Sequence, residues 1–334
     1  MRHRDENRAK SRPREDAHIR RPRGSSPTSH SLLTAFATRR AVNYQPPIGI
    51  LVKMMPWKMS SPTFESDRLQ PWFRSAPWSG HRRFVYDLML NLRPALTVEL
   101  GSHFGVSFFA MSQSMRDNSL PGRLVAIDTW EGDEHAGFYG DEVFESFEKV
   151  RNDLFSSVDV DVMRMRFDEA VDRFDDGSID VLHIDGLHTY EATKQDHELW
   201  RSKVKENGVV LFHDVAETTG YGTSSYWNEI RDSVSSFSFP HSFGLGVLFP
   251  NGAPAQCVDL IGETSLLREW YELRSRLDLA ELQVVDEAAM IDDRDAAIRS
   301  MTAMIDERDS WIRQLQNANE ALRVPVDASV NHDS

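Results

Sequence analysis

Cysteine is nearly absent, with Cys257 standing alone in 334 residues. A single thiol closes no intrachain disulfide and builds no cysteine-rich zinc site, so a reducing compartment, the cytoplasm, is the expected setting. Positive charge is also scarce: 38 Lys and Arg face 52 Asp and Glu, a formal net charge of −14. Nothing along the folded part offsets phosphate repulsion, which excludes nucleic acid as a general partner. No apolar run approaches the roughly 20 residues that cross a bilayer. The longest candidate, Pro47 to Trp57, is short and interrupted by Lys53. No apolar core follows the basic residues near the start, so they do not form a secretory signal. The chain also lacks a G-x-G-x-x-G fingerprint, which disfavours an NAD-type oxidoreductase, and a Gly-rich loop ending in Gly-Lys-Ser/Thr.

What is present begins with a basic extension. Met1 to about Ser31 is rich in Arg, Pro and Ser and too poor in apolar residues to order itself. It reads as a tail without a partner, the alternative being a basic arm for nucleic acid or anionic lipid. Translation from Met54, Met55 or Met59 would remove it; Met59 is the most attractive start, since ordered-looking sequence follows. We therefore divide the chain into an N-terminal extension 1–58, a catalytic domain 59–262, a helical segment 263–323 and a loose tail 324–334.

Within the domain, short apolar runs alternate with amphipathic stretches. Ser79 is placed to cap a helix carrying Phe84, Leu88 and Leu92 and stopped by Pro94. Strands are expected at Leu96 to Leu100, Leu124 to Ile127, Val160 to Met165, Ile179 to Ile184 and Val209 to Phe212. Between them lie helices at Phe104 to Met115, Glu142 to Leu154, a short one from Glu169 capped by Asp168, and His188 to Val204 ended by Asn207-Gly208. Strands alternating with helices require parallel crossovers, hence a doubly wound sheet. A helix Ser224 to Ser235 and runs 236–239 and 244–249 add an antiparallel pair at its edge.

In an open sheet of this kind, ligands bind beyond the carboxyl ends of the strands. Glu99, Asp128, Asp185 and Asp214 all fall there. The stretch TVELGSHFGVS, Thr97 to Ser107, is a strand ending on Glu99 and breaking at Gly101 and Gly105 into a helix. Such a turn offers backbone N–H groups to a ligand, or is simply a tight connection. Asp128, ending the second strand, is suited to both ribose hydroxyls of a nucleoside. Trp130 either covers an adenine face or plugs the core. Asp185 and Asp214, with His213 beside the second, either hold a divalent cation, Mg2+ or Mn2+, or are structural acids. His188, three residues past Asp185, faces the same cleft, where an imidazole is suited to take a hydroxyl proton.

Past Gly262 the pattern changes. Trp270, Leu277, Val284, Ile291, Ile298, Ile305, Ile312 and Asn319 are each seven residues apart, with Leu273, Met301, Leu315 and Leu322 three positions after members of the series. This phase reads as a coiled coil and a route to a homodimer, with Asn319 fixing register. Glu287, Arg294 and Arg308 at the second core position favour instead a single exposed amphipathic helix.

These residues together resemble the class I S-adenosylmethionine-dependent methyltransferases, closest to the sugar and small-molecule O-methyltransferase branch that contains the macrolide-sugar enzymes. VELGSHFGVS resembles that family's first cofactor motif, AIDTW its second, and IDGLHTYE with GVVLFHD its two metal-associated strand ends, across about Trp72 to Gly252. The resemblance implies a Rossmann-like fold with S-adenosyl-L-methionine as cofactor. It implies that Glu99 meets the methionine amino group, that Gly101, Ser102, Gly105 and Ser107 line the moiety, that Asp128 holds the ribose and that Asp168 approaches the adenine. Asp185, His213 and Asp214 become metal ligands, although His213 stands where those enzymes often place an acid. His188 becomes the base, and the loop Gly132 to Gly140 a lid with His135 and Tyr139 facing sugar hydroxyls. The implied acceptor is a sugar, glycan or glycosylated small molecule. A metal-independent methyltransferase and a non-catalytic nucleoside-binding scaffold acting through its coiled coil are the competing readings.

Overall fold

The computed structural model describes residues 57–133, 137–262 and 265–322. The basic extension up to residue 56 with the starts Met54 and Met55, the candidate acceptor residue His135, and the tail from Arg323 lie outside the described residues.

Seven strands form one sheet: β1 (Leu96–Leu100), β2 (Arg123–Asp128), β3 (Asp159–Arg164), β4 (Ile179–Ile184), β5 (Val204–His213), β6 (Ser235–Phe239) and β7 (Leu245–Phe249). Their order is β3-β2-β1-β4-β5-β7-β6. The first five are parallel, and β7 runs antiparallel to both β5 and β6. This is the doubly wound, mostly parallel sheet with an antiparallel edge pair that the alternation of apolar runs requires.

The helices are α1 (Arg82–Leu92), α2 (Val106–Asp117), α3 (Asp141–Leu154), α4 (Tyr190–Trp200), α5 (Gly222–Ile230) and α6 (Leu266–Leu322). Leu88, Phe108, Phe109 and Phe147 pack on one face of the sheet, and Trp200, Tyr226 and Trp227 on the other. With both faces covered, the central strands are buried over most of their length, which is why they read as apolar runs. β1 lies between β2 and β4, so the chain runs outward through β2 and β3 on one side of it and then crosses back to β4 on the other. A crevice opens at that reversal, beyond the carboxyl ends.

Several boundaries differ from the sequence reading. Helix α4 ends at Trp200, and Asn207-Gly208 lies inside β5 rather than after a helix. Asn207 has φ 63°, and the β4/β5 register shifts between Ile179 and Val181. Residues that tolerate a left-handed φ serve a strand irregularity as readily as a helix end, and the dipeptide alone does not distinguish them. Ser79 sits in a 3-10 turn ahead of α1 and supplies no cap. Asp168 does not cap either: Arg166 holds the N-cap position of the single turn Phe167–Ala170. His188 precedes α4 instead of opening it, because Thr189 is the cap, its Oγ1 accepting from the Ala192 N–H at 3.1 Å.

Helix α6 is continuous over 57 residues, ~85 Å at 1.5 Å per residue. Its start is anchored: Leu267, Tyr271 and Ser275 are buried, and Arg83 on α1 pairs with Asp278. Beyond that the heptad positions Val284, Ile291, Ile298, Ile305 and Ile312 are exposed.

Candidate functional site at the carboxyl rim of the sheet

A cavity of about 560 Å3 opens at the carboxyl ends of β1, β2, β4 and β5. Gly101, Ser102, Gly105 and Ser107 of the first turn line it, with Asp128, Asp168, Asp185, His188, His213 and Asp214. Trp72, Trp78, Phe104, Tyr139, Tyr221 and Phe243 provide aromatic wall.

The turn after β1 is shaped by its neighbours. Gly101 has φ +88°, and a Cβ there would strike the Asp185 carbonyl, so this glycine lets the ends of β1 and β4 meet. Asp128 braces the same turn. Its Oδ2 accepts from the Ser102 and His103 N–H groups at 2.9 Å each, and its Oδ1 from the Trp130 N–H at 2.8 Å.

Two expected cofactor contacts are displaced from the cavity. Glu99 is fully buried behind the wall, with its oxygens turned to its own chain: Oε2 accepts from Ser102 Oγ at 2.7 Å, and Oε1 from Ser107 Oγ at 2.6 Å and His183 Nδ1 at 2.9 Å. A ligand therefore meets the two serines, which Glu99 orients. Trp130 is the core plug. It is fully buried between Phe144 and Phe147, ring centroids 5.0 and 5.2 Å away, and its Nε1 donates to the His103 carbonyl at 2.8 Å. No face is left for an adenine. Asp168 does line the cavity, its carboxylate held by Arg166 at 2.8 and 2.9 Å. Tyr139 also lines it, its phenol pushed up first by burial and then by Asp128 and Asp133.

Across the cavity, Asp185, His188 and Asp214 each present one ligand atom within 4.8 Å of the others. Asp214 Oδ2 lies 3.1 Å from His188 Nδ1 and 3.2 Å from His213 Nδ1, and Asp185 Oδ1 is 3.4 Å from His213 Nδ1. The other His213 nitrogen, Nε2, donates to the Ser242 carbonyl at 3.0 Å. Burial alone would lower the His213 pKa, but the two carboxylates outweigh it and push it up to about 10. Burial would raise Asp185, and His213 outweighs that in turn, holding it down at about 2. Asp214, at φ 61°, keeps a buried Oδ1 with no hydrogen-bond partner. The His188 ring stacks on Tyr221, centroids 4.9 Å apart.

The sequence reading missed the residues behind this cluster. His183, inside the apolar run of β4, links Glu99 to the neighbourhood of Asp185, 3.9 Å from its Nε2. A histidine flanked by buried aliphatics was the available signal. His81 donates from Nε2 to the same Ser242 carbonyl at 3.1 Å, and Trp78 packs on His81, His183 and His213. No local pattern brings these segments together.

Residues 98–215 match a family model described as a methyltransferase domain. A Sinorhizobium fredii protein, y4gI, is 40% identical over 173 residues, which are 52% of this chain and 19% of that relative. The chain thus spans about a fifth of the length of that relative. Similar solved structures include a methyltransferase from Geobacter sulfurreducens, 15% identical over 62% of this chain and 97% of the other, with a TM-score of 0.42. Another is the O-methyltransferase TomG from Streptomyces achromogenes, involved in tomaymycin synthesis and solved with SAM, 13% identical over 61% and 96% of the two chains, TM-score 0.41.

Proposed function

We propose, from a methyltransferase domain matched over residues 98–215, that this chain transfers a methyl group from S-adenosylmethionine to a hydroxyl of a sugar or glycosylated small molecule, assisted by a divalent cation. One observation carries the reading: Asp128, Asp185, His188 and Asp214 line a single cavity at the carboxyl rim of a parallel sheet. Its volume, about 560 Å3, lies within the range of small-molecule sites.

S-adenosylmethionine, when bound, supplies an electrophilic methyl group on sulfur. For binding it, the chain offers the turn Gly101 to Ser107 and the Asp128 carboxylate. The acidic side suits a cation. His213 Nδ1 stands 3.2 Å from Asp214 Oδ2 and 3.4 Å from Asp185 Oδ1, close to the roughly 3 Å that bonds of about 2.1 Å at right angles would leave. The unpartnered oxygen of buried Asp214 is a second sign that a group belongs there. Asp185, Asp214 and His213, the last after giving up the Nδ1 proton that the two carboxylates keep on it, would hold the cation, which when bound would supply Lewis acidity toward an acceptor hydroxyl.

The chain's own residues do the rest. Asp214 Oδ2 takes the Nδ1–H of His188, fixing the tautomer in which Nε2 accepts a proton from the acceptor hydroxyl. Tyr221 fixes the plane of that imidazole by stacking. Trp72, Trp78, Phe104 and Phe243 give the acceptor apolar faces and keep water from the methyl transfer. The exposed seam of α6, with isoleucine at four successive first-core positions and Asn319 beyond them, suits a second copy of the chain.

The test is transfer of a labelled methyl group from S-adenosylmethionine to a panel of neutral glycosides, read by mass spectrometry. Label on an acceptor oxygen supports the reading. Label on nitrogen or carbon only, or on no acceptor although cofactor binds, refutes it.

A further inference from the structure

We infer that the cation site is built to hold a borderline transition-metal ion such as Co2+ through an imidazole nitrogen, in preference to Mg2+. The inference rests on the cation reading above and concerns which ion the residues select.

Mg2+ is a hard ion that takes oxygen ligands in near-ideal octahedra and keeps several of its waters. An imidazole ligand instead favours later first-row ions, whose affinity for nitrogen rises along the series. The donor set here departs from oxygen at His213, the last residue of β5. Its Nδ1 faces Asp214 Oδ2 at 3.2 Å and Asp185 Oδ1 at 3.4 Å, so it lies against both acids of the cluster that Asp185, His188 and Asp214 form.

The ring is locked in that direction from behind. Its Nε2 donates to the Ser242 carbonyl at 3.0 Å, the arrangement in which a carbonyl fixes the tautomer and orientation of a ligating histidine. That carbonyl is itself fixed, because His81 Nε2 donates to it at 3.1 Å and Ser242, Phe243 and Gly244 have successive φ values of 49°, 66° and 88°. Trp78 packs against the His213 ring, and His213 and Asp214 are both under 5% exposed. The unpartnered Oδ1 of Asp214 independently marks a missing ligand.

The test uses the full chain, stripped of metal by chelation, in calorimetric titrations with MnCl2, CoCl2 and MgCl2, alongside pulsed electron paramagnetic resonance of the Mn2+-loaded protein. Wild type should bind Co2+ at least about tenfold more tightly than Mg2+ and show 14N coupling to bound Mn2+, used as the spectroscopic probe. His213→Asp, an all-oxygen set, should lose that coupling and bring the Co2+ to Mg2+ affinity ratio down by about tenfold or more. Equal or tighter Mg2+ binding by wild type overturns the inference, as does Mn2+ bound without nitrogen coupling. Because His188 also offers a nitrogen to the cluster, His213→Gln is compared with His188→Gln: loss of the 14N coupling in the first alone supports the inference, and loss in the second alone overturns it. Binding of S-adenosylhomocysteine, measured on the same samples, separates the two levels. Cofactor heat without any metal heat ends the cation site and leaves methyl transfer standing, whereas metal binding without cofactor heat does the reverse.

Discussion

Asp87→Asn should make the stability of this protein less dependent on pH and reverse the order of variant and wild type between acid and alkali. Asp87 lies on α1 with no exposed surface. Its Oδ2 accepts from the Tyr271 hydroxyl at 2.6 Å and the Ser60 N–H at 3.2 Å, and Trp57 Nε1 donates to that hydroxyl at 2.8 Å. The carboxyl thereby joins the start of α6 and the segment before α1 to the domain. Its Oδ1 has no partner. Burial pushes the pKa up from 3.8 to about 7, with the Tyr271 and Ser60 hydrogen bonds only partly opposing it. Between those values the native state holds a proton that the unfolded chain has released, so stability falls as pH rises through this window and stays low above it. At roughly 1.4 kcal/mol per pH unit the full effect is ~4 kcal/mol. Asparagine keeps an acceptor for Tyr271 and Ser60 but buries an NH2 group in place of the bare oxygen, at a cost of about 1–3 kcal/mol. The variant should therefore be the less stable at pH 4 and the more stable, by about 1–3 kcal/mol, at pH 8. Urea denaturation at pH 4, 6 and 8 measures both. A difference between variant and wild type that is constant across the three pH values would refute the reasoning, since every other titrating group cancels in the comparison.

His188→Gln should lower single-turnover methyl transfer by about 10²–10⁴-fold while leaving S-adenosylhomocysteine affinity unchanged, as fits a residue whose work is proton removal. Gly101→Ala places a Cβ against the Asp185 carbonyl at a backbone φ of +88°. It should abolish cofactor heat and lower the melting temperature, with ~1–3 kcal/mol from backbone strain alone. Ile291→Glu combined with Ile298→Glu alters exposed positions of α6. In light scattering it should convert a dimer to a monomer without moving the melting temperature of the domain, and an unchanged mass would remove the second copy as the partner of α6.

The succession of parallel strands and the acids at their ends were legible because the central strands are largely buried and an acid at or just past the end marks the return to polar surroundings. Asp128, Asp185 and Asp214 follow that rule and line the cavity. Glu99 follows it in sequence but not in direction. Its carboxylate is drawn inward by Ser102, Ser107 and His183, and the last comes from β4, which no reading of the β1 turn brings near. Trp130 was ambiguous for the same reason, since the Phe144 and Phe147 rings that enclose it belong to α3. The brace on His213 was the least visible part. It joins His81 ahead of α1, the end of β5 and the left-handed turn at Ser242, three segments whose contact only the tertiary fold determines.

The most direct measurement of the central claim is calorimetric titration of the full chain with S-adenosylhomocysteine, with NADH as the competing nucleotide. A rim cavity built around Asp128 and the Gly101 turn predicts saturable heat at one equivalent per chain and no displacement by NADH. No heat with S-adenosylhomocysteine, or binding of NADH in its place, would contradict it.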